Sequence, residues 1–326
     1  MHRNVRIVGA TVIVAAVLAA VGFLSLYQLY VRPGPLRTEA TVIVAKGANV
    51  ADISTALQRA RVVLSPLTFR AAARLRPGSP LRAGEYRFPP HVSMRQALAM
   101  LRSGETVVRR LTVPEGMTSR QVVALLNETE SLVGEVVAPP VEGALLPATY
   151  DYSWGDSRSE LIRRMSSAMS AVLDELWTAR DPGLPLASPR EALILASIVE
   201  KETAVPEERS RVAAVFLNRL RLGMRLQADP TVAYAVYGGS GQGPPLRSID
   251  LQNPSPYNTY VANGLPPGPI ANPGRAALLA VLQPASSEDL FFVANGTGGH
   301  AFARTLDEHN RNVARWRRQG GRLDAE

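Results

Sequence analysis

A chain of 326 residues, 46% of them apolar and 20% charged, is long enough to bury a full hydrophobic core and too apolar to stay disordered. It has no cysteine, which excludes disulfides, a thiolate nucleophile and a thiolate metal site, and its four histidines (His2, His91, His300, His309) share no metal-binding spacing, so neither a metal nor another cofactor is expected. The formal charge of +8 is carried by arginines scattered over helical patterns without aromatic-rich strands, which argues against nucleic acid and suits solvated helix faces, an acidic wall polymer or an anionic lipid surface.

Residues 1–6 form a short leader with Arg3 and Arg6. From Ile7 to Val31 no residue is charged, only Thr11, Ser25 and Gln28 are distinctly polar, and Tyr27 and Tyr30 lie near the far end. About 20 apolar residues cross a bilayer as a helix, and edge tyrosines suit the headgroup region. The segment 7–31 therefore reads as a single-pass anchor in the cytoplasmic (inner) membrane, with the basic leader inside and the remaining chain outside. The rival is a cleaved secretory signal, whose apolar region ordinarily runs to only about 7 to 15 residues.

Beyond the proline-containing linker Arg32–Arg37, a pattern recurs three times between residues 38 and 135. Thr41–Val44 precedes Lys46-Gly47 and then Ile53 and Leu57; Leu111–Val113 precedes Pro114-Glu115-Gly116 and then Val122 and Leu126, at the same offsets of six and ten from the glycine. A weaker copy runs from Tyr86–Phe88 through Pro89-Pro90 to Ala97 and Leu101. Each reads as strand, tight turn and short amphipathic helix. Such β-α units build either a plain α+β packing module or a glycan-binding one resembling LysM domains, small strand-helix-helix-strand units that hold N-acetylglucosamine chains.

A second region, 140–320, opens with loop or short strand around Glu142-Gly143 and Pro147–Tyr150, followed by an amphipathic helix from Ser159 to about Ala179. The run Asp181–Pro185 breaks the chain, and Ser188-Pro189 reads as an N-cap with proline in the first helical position. That cap opens the apolar helix ending in Leu193–Glu202 (LILASIVEKE). Further on, a hairpin is expected from strands Leu290–Ala294 and Ala301–Arg304 about the turn Asn295–Gly299.

Glu202 shares a helix face with Leu195, Ile198 and Val199, whereas Glu200 points elsewhere. Its carboxyl group should sit at the rim of an apolar pocket, where desolvation raises the pKa. An acid still protonated near neutral pH can give its proton to a glycosidic oxygen. By pattern alone, a carboxylate at a helix end is more often simply solvated.

Seven motifs in one order then carry a resemblance: Ser197–Thr203, Val215–Leu220, Leu226–Val232, Tyr257–Tyr260, Gly264–Gly268, Ile270–Gly274 and Gly299–Phe302. They are similar to those of the membrane-anchored endolytic murein transglycosylases, the YceG-like family, over residues 40 to 315. The resemblance implies an α+β fold with an N-terminal membrane helix, a LysM-like module and a catalytic domain. It also implies internal cleavage of peptidoglycan glycan strands, with cell-wall synthases as possible partners, and a catalytic Glu at the second acid of E-K-E, which is Glu202. Relatives tend to carry an aromatic and an acid around the E-G-x-x-x-P motif, where this chain has Ala144, Leu145 and Ala148.

A single acid suffices for such chemistry. Ordinary glycosidases need two carboxylates, but a lytic transglycosylase uses the 6-hydroxyl of N-acetylmuramic acid as nucleophile and leaves a 1,6-anhydro end. Two readings stay open beside it: a non-catalytic scaffold that holds glycan, and a hydrolytic muramidase with Asp229 or Glu208 as second carboxylate. For substrate binding, Gln227, Tyr257, Asn258, Thr259 and Tyr260 offer amides, hydroxyls and aromatic faces, while Asn258 and Thr259 could instead cap a turn. Asp229, before Pro230, reads as a helix N-cap as well as a candidate for binding. His300 reads as a structural hydrogen-bonding residue, and the resemblance makes it a binding candidate near the groove as well. Gly264–Gly274, with four prolines in eleven residues, makes a stiff wall.

Overall fold

The computed structural model describes residues 2–76, 78–240 and 243–320. It is a mixed α+β chain with two compact units, one running to Arg109 and taking in Asp151–Asp156, the other made of Arg110–Tyr150 and the chain from Ser157.

The first unit begins with α1 (His2–Val31), whose stretch Ile13–Val31 has a mean hydropathy of 1.9 and is not buried. By length and composition it meets the requirement for a bilayer span. Strand β1 (Ala40–Val44) alternates as a half-buried strand must, with Val42 and Val44 inward and Thr41 and Ile43 outward. It pairs antiparallel with β2 (Gly84–Phe88), Val42 opposite Tyr86, and the connection carries two helices, α2 (Val50–Arg59) and α3 (Pro66–Leu75). Helix α4 (Met94–Ser103) follows. Ile53 and Leu57 of α2 lie in one core with Ala97 and Leu101 of α4, so the recurring offsets mark packing positions. Side-chain caps set where the helices start: Asn49 with Asp52 on α2, Ser65 before Pro66 on α3, and Ser93 with Gln96 on α4.

Two details differ from the sequence reading. The units at Thr41–Val44 and Tyr86–Phe88 are not separate repeats: β1 and β2 pair across a connection of two helices, α2 and α3, of which the recurring offsets mark only the first. The copy around Gly116, β3 (Arg109–Thr112) followed by α5 (Ser119–Glu128), belongs almost wholly to the second unit, so the compact units divide at Arg109. Hydrogen bonding explains that placement: the Arg158 guanidinium donates to the carbonyls of Leu126, Asn127, Thr129 and Gly134, and the Ser119 amide donates to Glu142 at 2.7 Å.

The chain continues with short strands β4 (Leu132–Val133), β5 (Thr149–Tyr152) and β6 (Asp156–Ser157), of which Asp151–Asp156 count with the first unit, and the second unit goes on with α6 (Arg158–Thr178) and α7 (Pro189–Glu202). After these come α8 (Arg209–Arg221), α9 (Asp229–Tyr237) and α10 (Arg275–Leu282). The hairpin β7 (Phe291–Ala294) and β8 (His300–Ala303) pairs Phe292 with Phe302, and α11 (Leu306–Arg318) closes the described chain. Helix α7 is the centre of this unit: Leu195, Ile198 and Val199 are fully buried against residues such as Phe216 of α8 and Leu278 of α10. Truncating one such leucine to alanine costs about 2–5 kcal/mol, so the helix that ends in Glu202 is held by a fully buried core.

Candidate active site

Helix α7 starts where the sequence says it should, with Ser188 accepting from the Glu191 amide and Pro189 in the first turn, and it stops at Thr203, whose backbone is extended. Glu202 is thus the last helical residue, half-buried, on the face of Ile198 and Val199. Burial, then the negative charge of Asp229, raises the Glu202 pKa to about 8; the charge of Arg219 opposes this. Arg219 is itself buried and committed elsewhere, donating to the carbonyls of Leu290 and Leu226 at 2.7 Å each and lying over the Phe291 ring at 5.2 Å. Near neutral pH Glu202 therefore keeps its proton. The pull on it comes from Asp229, and Glu208 is not among the groups that shift it.

Asp229 does not cap α9. Ala228 occupies the cap position without a side-chain bond, and Asp229, as the first helical residue, accepts a 2.5 Å hydrogen bond from the Tyr260 hydroxyl. Burial, and then that bond, pushes the Tyr260 pKa up, which keeps the phenol a donor. Gln227 has a positive φ of 51°, rare for a residue with a side chain, and its amide donates to the Thr259 carbonyl while its side chain is exposed. Tyr257 is half-buried, 5.0 Å from the Tyr234 ring centre.

Asn258 and Thr259 are fully buried, and their polar atoms are spent inside the protein. Asn258 donates to the carbonyls of Leu251 and Asn253 and accepts from the Tyr260 amide. Thr259 Oγ1 accepts from the Ala228 amide and meets Thr231 Oγ1 at 2.9 Å. These two side chains cannot contact a glycan; they shape the turns that present Gln227, Asp229 and Tyr260. His300 is bound to Glu208, Nδ1 to Oε2 at 2.7 Å, with the His300 amide donating to Oε1 at 2.9 Å. Burial would raise the Glu208 pKa, but these two bonds outweigh it and hold Glu208 below the usual carboxylate range.

A cavity of about 350 Å³ opens beside the end of α7, lined among others by Lys201, Asp229, Tyr234, Tyr237, Leu246 and Ile270. The proline-rich loop supplies Ile270 to that wall, pinned by its amide to Ser197 Oγ at 3.0 Å. Behind the cavity, Asn272 acts as a knot, donating to the Met117 carbonyl and Ser119 Oγ while accepting from the Leu145 amide. Glu142 belongs to the same knot and contacts the Tyr234 hydroxyl at 3.4 Å. Leu145 is fully buried, so at this position of the E-G-x-x-x-P stretch the contact is apolar packing. Asn272→Ala should cost about 3 kcal/mol or more, because the Leu145 amide and Ser119 hydroxyl lose buried partners; thermal melting of the variant checks this. Glu200 turns away as expected and accepts from the Gly274 amide at 2.9 Å. Sequence reasoning missed Arg219 and Asn272; the signal for Arg219 was an arginine just past the end of the apolar run Val212–Leu217 of α8.

The YceG-like family matches residues 42–315 of this chain. A Bacillus subtilis protein named endolytic murein transglycosylase is 30% identical over 311 residues, covering 84% of both chains. A Streptococcus pneumoniae protein of the same name is 32% identical over 321 residues, with 84% of this chain aligned. The chain spans 58% of that longer relative's length. A crystal structure of a YceG-like protein from Listeria monocytogenes superposes with a TM-score of 0.53 at 31% identity, over 84% of this chain and 98% of that one.

Proposed function

The chain belongs to the YceG-like family, and from that premise we propose that it is an endolytic lytic transglycosylase acting on peptidoglycan. It cleaves bonds between N-acetylmuramic acid and N-acetylglucosamine within glycan strands, in cell-wall assembly and the control of strand length. The observation that carries this reading is one neutral carboxylic acid, Glu202, at the end of α7, whose neighbours Lys201 and Asp229 line a cavity together with Tyr234 and Tyr237.

In the first half of the reaction the Glu202 proton passes to the glycosidic oxygen as the bond to C1 breaks. In the second half the muramic 6-hydroxyl attacks C1 and returns its proton to the Glu202 carboxylate, so the acid is regenerated and no water is consumed. The charge of Asp229 serves twice: it keeps Glu202 protonated before the reaction and favours the positive character that develops at C1. Gln227, Tyr257 and Tyr260 hold the sugars. The strand-helix-helix-strand order over residues 40–88 supports a LysM-like, glycan-holding reading of the first unit.

Mass spectrometry of released glycan is the test. Fragments should end in 1,6-anhydro-N-acetylmuramic acid, lighter by one water than a reducing end, and should arise from within strands. Reducing ends would replace this reading by a hydrolase with Asp229 as second carboxylate, and binding without cleavage by a scaffold.

The apolar helix α1 is read as an uncleaved anchor in the inner membrane. Cell fractionation should recover the full-length chain in that membrane, open to protease only from the outer side. A soluble form beginning near residue 30 would show a removed signal instead.

A further inference from the structure

From Ile53 to Gly84 the chain contains no acidic residue and six arginines. Three of these, Arg70, Arg74 and Arg76, lie on or just after α3 and are exposed. Between them the same helix shows solvent two large apolar side chains, Leu67 at 71% exposure and Leu75 at 77%. Positions 67, 70, 71, 74 and 75 fall on one stripe of a helix, while Phe69, on the other side, is fully buried in the core.

The same helix lies against the outer end of α1. A cleft of about 380 Å³ between them is lined by Phe23, Leu26, Tyr27, Thr68, Ala71 and Leu75, and the Arg76 guanidinium sits 4.8 Å from the centre of the Tyr30 ring. Tyrosine at the end of a bilayer span marks headgroup depth. The stripe of leucines and arginines is therefore level with the lipid surface whenever α1 crosses the bilayer.

We propose that the exposed face of α3 docks on an anionic lipid leaflet, Leu67 and Leu75 entering the interface and Arg70, Arg74 and Arg76 meeting the lipid phosphates. The proposal rests on the reading of α1 as a membrane anchor. Leucines interleaved with arginines favour lipid over an acidic wall polymer, which offers charge but no apolar phase.

Because the chain has no cysteine, a single one can be placed and labelled cleanly. Full-length protein carrying Leu67→Cys or Leu75→Cys with an environment-sensitive fluorophore is incorporated into nanodiscs of phosphatidylcholine with or without phosphatidylglycerol. Co-elution with the disc reports the anchor separately. The expected result is a blue shift and protection from aqueous iodide in the anionic discs, both reduced in phosphatidylcholine alone and by Arg70→Gln with Arg74→Gln. Labels in discs that stay as accessible to iodide as in detergent would overturn the proposal. So would equal shifts in the two lipids, or protection that appears only when soluble polyglycerol phosphate is added.

Discussion

Glu202→Gln is expected to lose strand cleavage by ~10²–10⁴-fold, the range that a positioned general acid contributes, while fold and glycan binding persist. The amide fills the same space at the end of α7 and can still accept a hydrogen bond, but it has no proton of suitable acidity to give to the leaving oxygen. Glu200→Gln provides the internal comparison. Its carboxylate accepts from the Gly274 amide at 2.9 Å, a bond that an amide oxygen can keep, so cleavage should stay close to wild type. Release of anhydro-ended fragments from purified glycan strands measures both. Cleavage by the Glu202→Gln variant within a few-fold of wild type would remove Glu202 from the mechanism.

The candidate acid was legible in the sequence because two independent signals met there. The Ser188-Pro189 cap fixed where α7 begins, and the apolar spacing of Leu195, Ile198 and Val199 fixed which face Glu202 shares. The neighbours were less legible for a physical reason. A polar side chain in a loop motif can satisfy itself on ligand or on backbone, and sequence spacing does not say which; Asn258 and Thr259 turned out to be filled by Leu251, Asn253, Ala228 and Thr231.

Asp229 shows the same ambiguity in reverse. Asp-Pro before an apolar run is a cap pattern, yet the carboxylate is drawn one position into the helix and onto Tyr260, where its charge acts on Glu202. At the level of the fold, identical offsets after Gly47 and Gly116 describe local amphipathicity only. They carry no information about which core the helix joins, and the copy around Gly116 falls with the second unit. Helix α3 lies outside the recurring offsets because its exposed face mixes leucine with arginine and blurs the period.

Glu202 also makes a prediction about stability, which separates its environment from its chemistry. Its carboxyl titrates near 8 in the folded protein against an ordinary value of 4.5. Between those two values the folded state holds a proton that the unfolded state has released. Stability from this group is therefore intact below the lower value and is lost as pH rises toward the upper one. Glu202→Gln removes the titration, so the variant should melt close to wild type at acid pH and above it at alkaline pH. The gap should widen up to a pH of about 8 and then level off. The full shift would correspond to about 5 kcal/mol, and for a half-buried residue ~2–4 kcal/mol is expected, or several degrees in melting temperature. Glu142 and Glu200, whose pKa values burial also raises, titrate in both proteins and cancel in the difference. Asp229→Asn should shorten the window from its upper end, because the charge that adds to burial is gone. Melting curves of the wild type and both variants across this range measure the effect. A difference that stays flat with pH would mean that Glu202 is solvated, and the case for a neutral acid at the end of α7 would fall with it.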